Sequence, residues 1–283
     1  MNSHIAVPAR AGRCADRPGI EPATESRRHT MTPRKEESAK IRPERFEVVM
    51  LATPEIDHYA AATRRSWEQY CARHGYGFYL YDRQILPDLH VNWSRLEMVR
   101  ERQRAGGADW VVMVDADTFV TDEDFALDRL VAPYARKDVL FAPDATRRFG
   151  LWLPLDLGGF LICRTRRPPN GGFILVRNND FGRYFFDEWI ALAQGSLRHL
   201  ANRHPRTQGV LWRGLYRRHR DCIAVMYGEV VRAGTNRVLD RLSLDTSRAF
   251  VLHDKRLTLQ ESNASVPTPA RDPLPHPGAP SEG

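Results

Sequence analysis

Cysteine is scarce in this sequence, and long apolar runs are missing from it. The 283 residues include only four cysteines, none of them in a Cys-x-x-Cys pair, so neither a disulfide framework nor a thiolate zinc site is predicted. The longest apolar runs, such as 46–53 and 110–114, fall far short of the ~20 residues that a membrane-spanning helix needs. No apolar stretch near the N-terminus resembles a secretory signal. We therefore expect reduced thiols and a cytoplasmic protein.

Lysine is also rare, although the chain is basic. Only four of the 42 basic residues are lysines, and the formal net charge is +7. Residues 46–260 carry 31 basic against 26 acidic side chains, a mild excess that does not indicate a nucleic-acid partner. A positive groove for one anionic small molecule would account for it. One basic stretch is either a solvated helix face or a contact for an anionic acceptor or for headgroups at the inner face of a membrane; it comprises Arg213, Arg217, Arg218 and Arg220 around His219.

Composition divides the chain into three predicted parts. Residues 1–45 contain scattered proline, arginine, serine and glutamate without apolar periodicity, and residues 261–283 are rich in proline. Such segments bury too little apolar surface to offset the entropy of ordering, so both are predicted to be disordered. The folded, catalytic part is predicted to be 46–260.

Hydrophobic periodicity at the start of this part predicts alternating strands and helices. Apolar strand-type runs alternate with amphipathic helical stretches that stop at glycine; the strands are 46–53, 76–82 and 109–115, and the helices are 56–74 and 93–105. This order predicts an α/β fold of Rossmann type, with a mixed, mostly parallel sheet flanked by helices. In such folds ligands bind beyond the carboxyl ends of the strands, which directs attention to the end of the third strand.

The third strand ends in two aspartates that are separated by one residue, Asp115 and Asp117. In extended backbone, residues i and i+2 point to the same side, about 6.5 Å apart. Two carboxylates ~5 Å apart at an effective dielectric of ~20 repel by roughly 3 kcal/mol, so a divalent cation is a suitable partner for them. The simpler alternative is that the aspartates only cap the turn that follows.

Two enzyme classes place such a pair after an apolar strand. The run 110–120 resembles the first motif of haloacid-dehalogenase-like phosphatases, which would make Asp115 the nucleophile and Asp117 the acid/base. That family also needs a later lysine followed by a further acidic pair, and neither Lys137 nor Lys255 has one on a strand end. The phosphatase is therefore the alternative hypothesis.

The second class is suggested by a succession of motifs over most of 46–260. These are Trp93-Ser-Arg-Leu-Glu-Met-Val-Arg, Ala108 to Asp122, Asn170-Gly-Gly-Phe-Ile-Leu-Val-Arg-Asn178, Phe186-Asp-Glu-Trp189, Gln208 and Val251-Leu-His253. Together they resemble the galactosyltransferase family of GT-A glycosyltransferases, which includes yeast α-mannosyltransferases and plant xyloglucan xylosyltransferases. The resemblance implies a GT-A-like fold and transfer of a hexose or pentose, with retention, from a UDP- or GDP-sugar to a glycan, lipid or small-molecule acceptor.

The resemblance also implies a metal site. The family's D-x-D carboxylates hold Mn²⁺ on the donor diphosphate, and a late histidine completes the set, so Asp115, Asp117 and His253 are the expected ligands. A histidine favours Mn²⁺ over Mg²⁺, which prefers oxygen, although Mg²⁺ stays an alternative. Lys255, just beyond His253, is expected to meet the β-phosphate.

Several further residues are expected at the donor. Arg95 stands where the family often carries lysine near the phosphates or the sugar. Thr53, Tyr81 and Asp82 follow the first two strands, where the nucleoside binds; stacking of a base on Tyr81 and its packing in the core are both open. The glycines beside Asn170 permit close approach of the backbone to a sugar, although an ordinary turn before a strand would look the same; the three residues are Asn170, Gly171 and Gly172.

Gln208 is the residue to which the resemblance assigns catalysis. In retaining members a glutamine lies near the anomeric centre, where its amide oxygen stabilises an oxocarbenium-like transition state. The family usually has an acidic residue directly before it, whereas this chain has Thr207. That difference keeps a further alternative open, a catalytically silent protein that binds nucleotide-sugars or glycans.

Overall fold

The computed structural model describes residues 44–144, 146–148, 151–153, 161–165, 168–226, 231–233 and 251–253, and among these the side chains of 146–148, 151–153, 231–233 and 252–253 are not described. The predicted disordered tail and nearly all of the predicted N-terminal extension therefore lie outside the described residues, as does Lys255. Glu44 and Arg45, at the end of that extension, already contact the sheet, since Glu44 accepts a hydrogen bond from Trp110 and Arg45 pairs with Asp109.

The secondary structure alternates as the periodicity predicts. The strands are β1 (Phe46–Leu51), β2 (Gly77–Tyr81), β3 (Trp110–Val114), β4 (Thr118–Val120), β5 (Val139–Pro143), β6 (Thr146–Arg148), β7 (Leu151–Leu153), β8 (Pro169–Arg177), β9 (Ile223–Val225), β10 (Val231–Ala233) and β11 (Val251–His253). The α-helices are α1 (Asp57–His74), α2 (Ser94–Ala105), α3 (Leu127–Val131), α4 (Asp180–Gln194), α5 (Arg198–Ala201), α6 (Thr207–Val210) and α7 (Tyr216–His219), and a π-helical segment, Leu211–Leu215, joins α6 to α7.

A six-stranded sheet is the centre of the fold, with the strand order β2-β1-β3-β8-β5-β9. The pairs β1–β2, β1–β3 and β5–β9 are parallel, whereas β8 runs antiparallel to both β3 and β5. The expected mixed, mostly parallel sheet is confirmed. Because β8 is reversed, it begins at the edge where β3 and β5 end, and this edge carries the candidate site.

Both faces of the sheet are buried, since alternate residues of each strand point to opposite sides. In β1, Val49 and Leu51 join one apolar core with α2 and α4, while Val48 and Met50 join the other with α1 and α3. The predicted glycine stops are also present: α1 ends at Gly75 with φ 70° and α2 at Gly106 with φ 74°, a left-handed conformation that glycine adopts without steric cost.

A second, three-stranded sheet lies beside the end of β3. Its order is β10-β11-β4, and β11 pairs antiparallel with β4 so that His253 lies opposite Thr118. Helix α1 holds β4 in place, because Trp67 Nε1 donates to the Thr118 carbonyl at 3.0 Å and the Ser66 hydroxyl accepts from the Val120 amide at 3.2 Å. This small sheet therefore places β11 beside Thr118, the residue after Asp117.

The cysteines depart in part from expectation. Cys71 and Cys163 are buried and form no disulfide, and burial raises the pKa of the Cys71 thiol to about 12, so the Cys71 thiol is inert at neutral pH. Cys222 is disulfide-bonded, which the prediction of four reduced thiols did not include. Within the described part of the chain, no helix is long and apolar enough to cross a membrane.

Gln103, on α2, gives a stability prediction. It is 3% exposed, and neither its Nε2 nor its Oε1 has a hydrogen-bond partner among the described residues. Burying unpaired polar atoms is costly, so Gln103→Met, which keeps the size and helix propensity, is expected to raise the unfolding free energy by about 1 kcal/mol. Urea unfolding measures this, with Gln69→Met on the exposed side of α1 as the control. If Gln103→Met lowers the unfolding free energy while Gln69→Met does not, the Gln103 amide has a partner and the prediction is wrong.

Candidate active site at the carboxyl end of the sheet

The D-x-D pair lies in a tight turn between β3 and β4. The Thr118 amide donates to the Asp115 carbonyl at 3.0 Å, and the Thr118 hydroxyl donates to the same oxygen at 2.6 Å. On the other side, the Asp115 amide donates to the Gly172 carbonyl at 2.8 Å. The backbone of the pair is therefore fixed by β4 and by the start of β8.

Arg95, in the first turn of α2, is the cation of the site. Its guanidinium forms an ion pair with the Asp115 carboxylate, and the two side chains are 11% and 20% exposed. Its Nη1 and Nη2 lie 3.5 Å from the Gly171 carbonyl and the Thr207 hydroxyl. Burial lowers the pKa of Arg95 to about 10, and the charge of Asp117 opposes that shift, so the guanidinium stays charged at neutral pH. Arg95 thus links three separate segments.

A pocket of about 220 Å³ opens directly onto this pair. Its lining joins the end of β1, the first turn of α1, the start of α2 and the D-x-D turn; it includes Leu51, Thr53, Ile56, Tyr59, Val91, Asn92, Arg95, Asp115, Ala116 and Asp117. Burial and the nearby Asp117 both raise the pKa of Tyr59. Thr53, Arg95 and the two aspartates, all expected at the donor, therefore share one cavity.

A second cluster adjoins Arg95 at the start of β8. Asn170 Oδ1 accepts from the Gly172 amide at 2.7 Å, and Asn170 Nδ2 donates to Asp144 Oδ1 at 2.9 Å. Gln208 Nε2 donates to the other oxygen of the same carboxylate, Asp144 Oδ2, at 3.1 Å. A Cβ placed on Gly171 would lie 3.4 Å from Gln208 Cγ and 3.6 Å from Thr207 Oγ1. The predicted donor-sugar residues and the predicted catalytic glutamine therefore pack together.

Asp144 and Tyr59 were missed as site residues in the sequence. Asp144 is 8% exposed and follows the apolar strand β5, so an acid at the end of a strand parallel to β3 was the available signal. Tyr59 lies in a helical stripe, which reads as core packing. Only the tertiary fold shows that these residues adjoin the D-x-D turn and Gln208.

Three of the expected donor residues lie elsewhere or outside the described set. Tyr81 packs against the core beside α2, where burial and a hydrogen bond with Glu101 raise its pKa to about 12. Neither Tyr81 nor Asp82 is among the residues that line the pocket. Lys255, expected at the β-phosphate, lies outside the described residues. For His253 only the backbone position opposite Thr118 is described.

The basic stretch after Gln208 is partly neutralised. Glu188 on α4 pairs with both Arg218 and His219, the latter at 2.7 Å. Burial raises the pKa of Glu188, but these partners outweigh it and the net direction is down. Arg213 and Arg217 stay exposed. Contact of this stretch with a membrane or an anionic acceptor remains a prediction.

Removing the Asp144 carboxylate is expected to destabilise the protein. In Asp144→Ala, Asn170 Nδ2 and Gln208 Nε2 lose their acceptor in a buried setting, which should lower the unfolding free energy by about 2 kcal/mol. Urea unfolding measures the change. Asp221→Ala serves as the matched control, because that carboxylate is 91% exposed and 4.0 Å from Arg220, and it should cost less than about 0.5 kcal/mol. Equal losses in the two variants would contradict the proposed bridge.

Comparisons with known proteins identify the family of the chain. The sequence model of the galactosyl transferase GMA12/MNN10 family matches residues 48–227, a range that includes both clusters. An alpha-1,2-galactosyltransferase of Schizosaccharomyces pombe is 22% identical over 157 residues, which is 49% of this chain and 41% of the relative. An uncharacterized alpha-1,2-galactosyltransferase of the same yeast is 21% identical over 178 residues, 53% and 47% of the two chains. The matched region spans less than half the length of either relative.

The fold has a solved counterpart. A glycosyltransferase involved in the glycosylation of the major capsid of PBCV-1 superposes with a TM-score of 0.57 at 13% identity, covering 78% of this chain and 99% of that one. At this identity the likeness shows the fold alone, and it agrees with the expected GT-A-like sheet flanked by helices. The family match favours a glycosyltransferase over the phosphatase alternative.

Proposed function

The chain belongs to the galactosyl transferase GMA12/MNN10 family, and from its site we propose a metal-dependent glycosyltransferase that moves a hexose or pentose from a nucleoside-diphosphate sugar to an acceptor hydroxyl with retention. One observation carries the proposal: Arg95 joins the D-x-D turn to the Gly171 carbonyl and to Thr207, which is 112 residues away in sequence and directly precedes Gln208. The residues to which the proposal gives the metal, the donor sugar and catalysis thus meet at one edge of the sheet.

Asp115 and Asp117 supply two of the ligands that a divalent cation needs, and since the described residues contain no group of three or more candidate ligands, the proposal takes the third from His253, whose side chain is not described. Two carboxylates flank a rigid turn, and the β11–β4 register puts the backbone of His253 opposite Thr118, one residue beyond Asp117. Because Asp115 already pairs with Arg95, Asp117 is the more direct ligand in this proposal, with Asp115 and His253 completing the set. Oxygen and imidazole ligands together suit Mn²⁺, and Mg²⁺ less well. When bound, the metal would neutralise charge on the donor diphosphate.

The pocket supplies a place for the nucleoside. Thr53, Tyr59 and Asn92 all line this pocket, so an aromatic ring and polar groups are available to a base and a ribose. Tyr59 takes the stacking role in this proposal, since Tyr81 packs against the core instead. The names of the two yeast relatives make galactose the first donor sugar to test.

Gln208 is held in a single orientation by Asp144. The Gln208 amide presents its NH₂ group to Asp144 Oδ2, which accepts the hydrogen bond. Its carbonyl oxygen is then the atom left to face a substrate, beside Gly171. A carbonyl dipole oriented before reaction would stabilise positive charge that develops at the anomeric carbon. We propose this as the catalytic contribution of the side chain.

The proposal is tested by thermal shift on the full chain with UDP- and GDP-sugars, each with and without Mn²⁺. A ligand that binds only the folded state raises the melting temperature, by mass action. We expect one donor class to raise it only when the metal is present. If no nucleotide-sugar shifts melting with Mn²⁺ or Mg²⁺, the proposed function is wrong. Release of the nucleoside diphosphate and the anomeric configuration of the product then establish transfer and retention.

A further inference from the structure

Arg206 has an unusual backbone conformation and an unpaired side-chain nitrogen. It directly precedes α6, and its φ of 46° lies in the left-handed region, which residues other than glycine, asparagine and aspartate rarely adopt. Its Nε is buried without a hydrogen-bond partner among the described residues. Its guanidinium likewise forms no ion pair with any described carboxylate, although most described arginines of α1, α2 and α4 do.

Positive charge gathers around Arg206 rather than being neutralised there. Burial, and after it the charges of Arg206 and Arg95, lower the pKa of His90, which directly precedes the pocket residues Val91 and Asn92. From 189 to 220 the chain has seven arginines and no acidic residue, and Glu188, just before this range, pairs with one of them, Arg218. Asp115 pairs with Arg95, whereas no described carboxylate pairs with Arg206, so a bound anion would relieve the repulsion that Arg206 exerts on nearby positive charge.

Arg95 already has partners within the protein, so it is not by itself available to bind an anion. Its guanidinium pairs with Asp115 and reaches Gly171 and Thr207, so its donors hold the site together. Thr207 directly follows Arg206 in the chain, and the contact of Thr207 with Arg95 brings the Arg206 backbone to the same wall. Arg206 is therefore a cation near the pocket that pairs with no described carboxylate, and it is available to a phosphate group bound at the mouth of the pocket.

We propose that Arg206 binds the diphosphate of the nucleotide donor. The inference rests on the proposed function and adds to it a residue that neither the D-x-D pattern nor the position of Gln208 indicates. A guanidinium suits this role, because it stays charged and donates two parallel hydrogen bonds to a phosphate.

Isothermal titration calorimetry with the full chain and Mn²⁺ tests this. UDP and GDP are titrated first, and the one that binds is compared with its monophosphate and its nucleoside. Arg206→Gln is expected to weaken diphosphate binding about tenfold or more, which is the loss of one charge-assisted hydrogen bond, and to leave nucleoside binding unchanged. Arg206→Lys is expected to weaken diphosphate binding less than Arg206→Gln does, because lysine keeps the charge but loses the two parallel hydrogen bonds.

Arg203→Gln is the matched control, since it removes the same charge from an exposed position in the same loop. Equal diphosphate affinities for Arg206→Gln and Arg203→Gln would overturn the proposal. An equal loss of affinity for the diphosphate and for the nucleoside in Arg206→Gln would overturn it too. If the parent chain binds neither UDP nor GDP with any metal, the proposed function itself fails, which is a separate result. Unchanged nucleoside binding in Arg206→Gln also shows that the variant is folded.

Discussion

Replacing Asp117 with asparagine is expected to lower kcat/KM for glycosyl transfer about a thousandfold, because a metal at a phosphoryl oxygen contributes several kcal/mol of charge stabilisation. Asparagine keeps the size of the side chain and removes its charge. Asp117 follows β3 in a turn fixed by Thr118, so the fold should be retained. The variant should also lose the rise in melting temperature that donor and Mn²⁺ produce together.

The control for this substitution is Asp124→Asn. Asp124 is 78% exposed and pairs with Arg73, away from the residues that line the pocket, so its loss should leave turnover within about twofold, as is usual for exposed pairs. Initial rates measured over a range of Mn²⁺ concentrations would separate weaker metal binding from slower chemistry. Full activity of Asp117→Asn would contradict the assignment of Asp117 as a ligand.

Replacing Gln208 with alanine is expected to lower kcat about a hundredfold while nucleotide affinity stays within a few-fold. The reason is that a preorganised dipole at the reacting centre acts mainly on the transition state. The substitution also leaves Asp144 Oδ2 without its partner from Gln208, so the melting temperature must be recorded for the variant. Single-turnover kinetics and calorimetry with the nucleoside diphosphate measure the two quantities separately.

The matched control is Gln194→Ala, at the exposed end of α4, which should change neither quantity. The outcome also distinguishes an enzyme from a silent binding protein. An enzyme loses turnover in Gln208→Ala and keeps nucleotide binding. A binding protein shows no transfer in the parent chain and no effect of the Gln208 substitution.

The local elements and the D-x-D pair were predictable from the sequence because their signals are local. Short apolar runs indicated β1 to β3, and glycines at 75 and 106 marked the ends of α1 and α2. The resemblance indicated which distant residues to group with Asp115. The structure brings Arg95, Asn170, Gly171 and Gln208 to the same region.

What the sequence did not reveal depends on long-range topology. Strand β8 lies antiparallel between β3 and β5, so it begins where β5 ends. Only this arrangement brings Asn170, near the start of β8, to Asp144, which follows β5. Tyr59 becomes a pocket residue because the first turn of α1 packs over Ala116. For Tyr81 the sequence left base stacking and core packing both open, and the structure packs this side chain against the core beside α2. No local pattern encodes these three outcomes.

The most direct test of the account is anomalous diffraction from crystals grown with Mn²⁺ and the nucleoside diphosphate that shifts melting. The account predicts one manganese peak within coordination distance of an Asp117 carboxylate oxygen, with the diphosphate on the same ion. A manganese ion bound elsewhere, or a bound nucleotide whose phosphates lie away from Asp115 and Asp117, would contradict it.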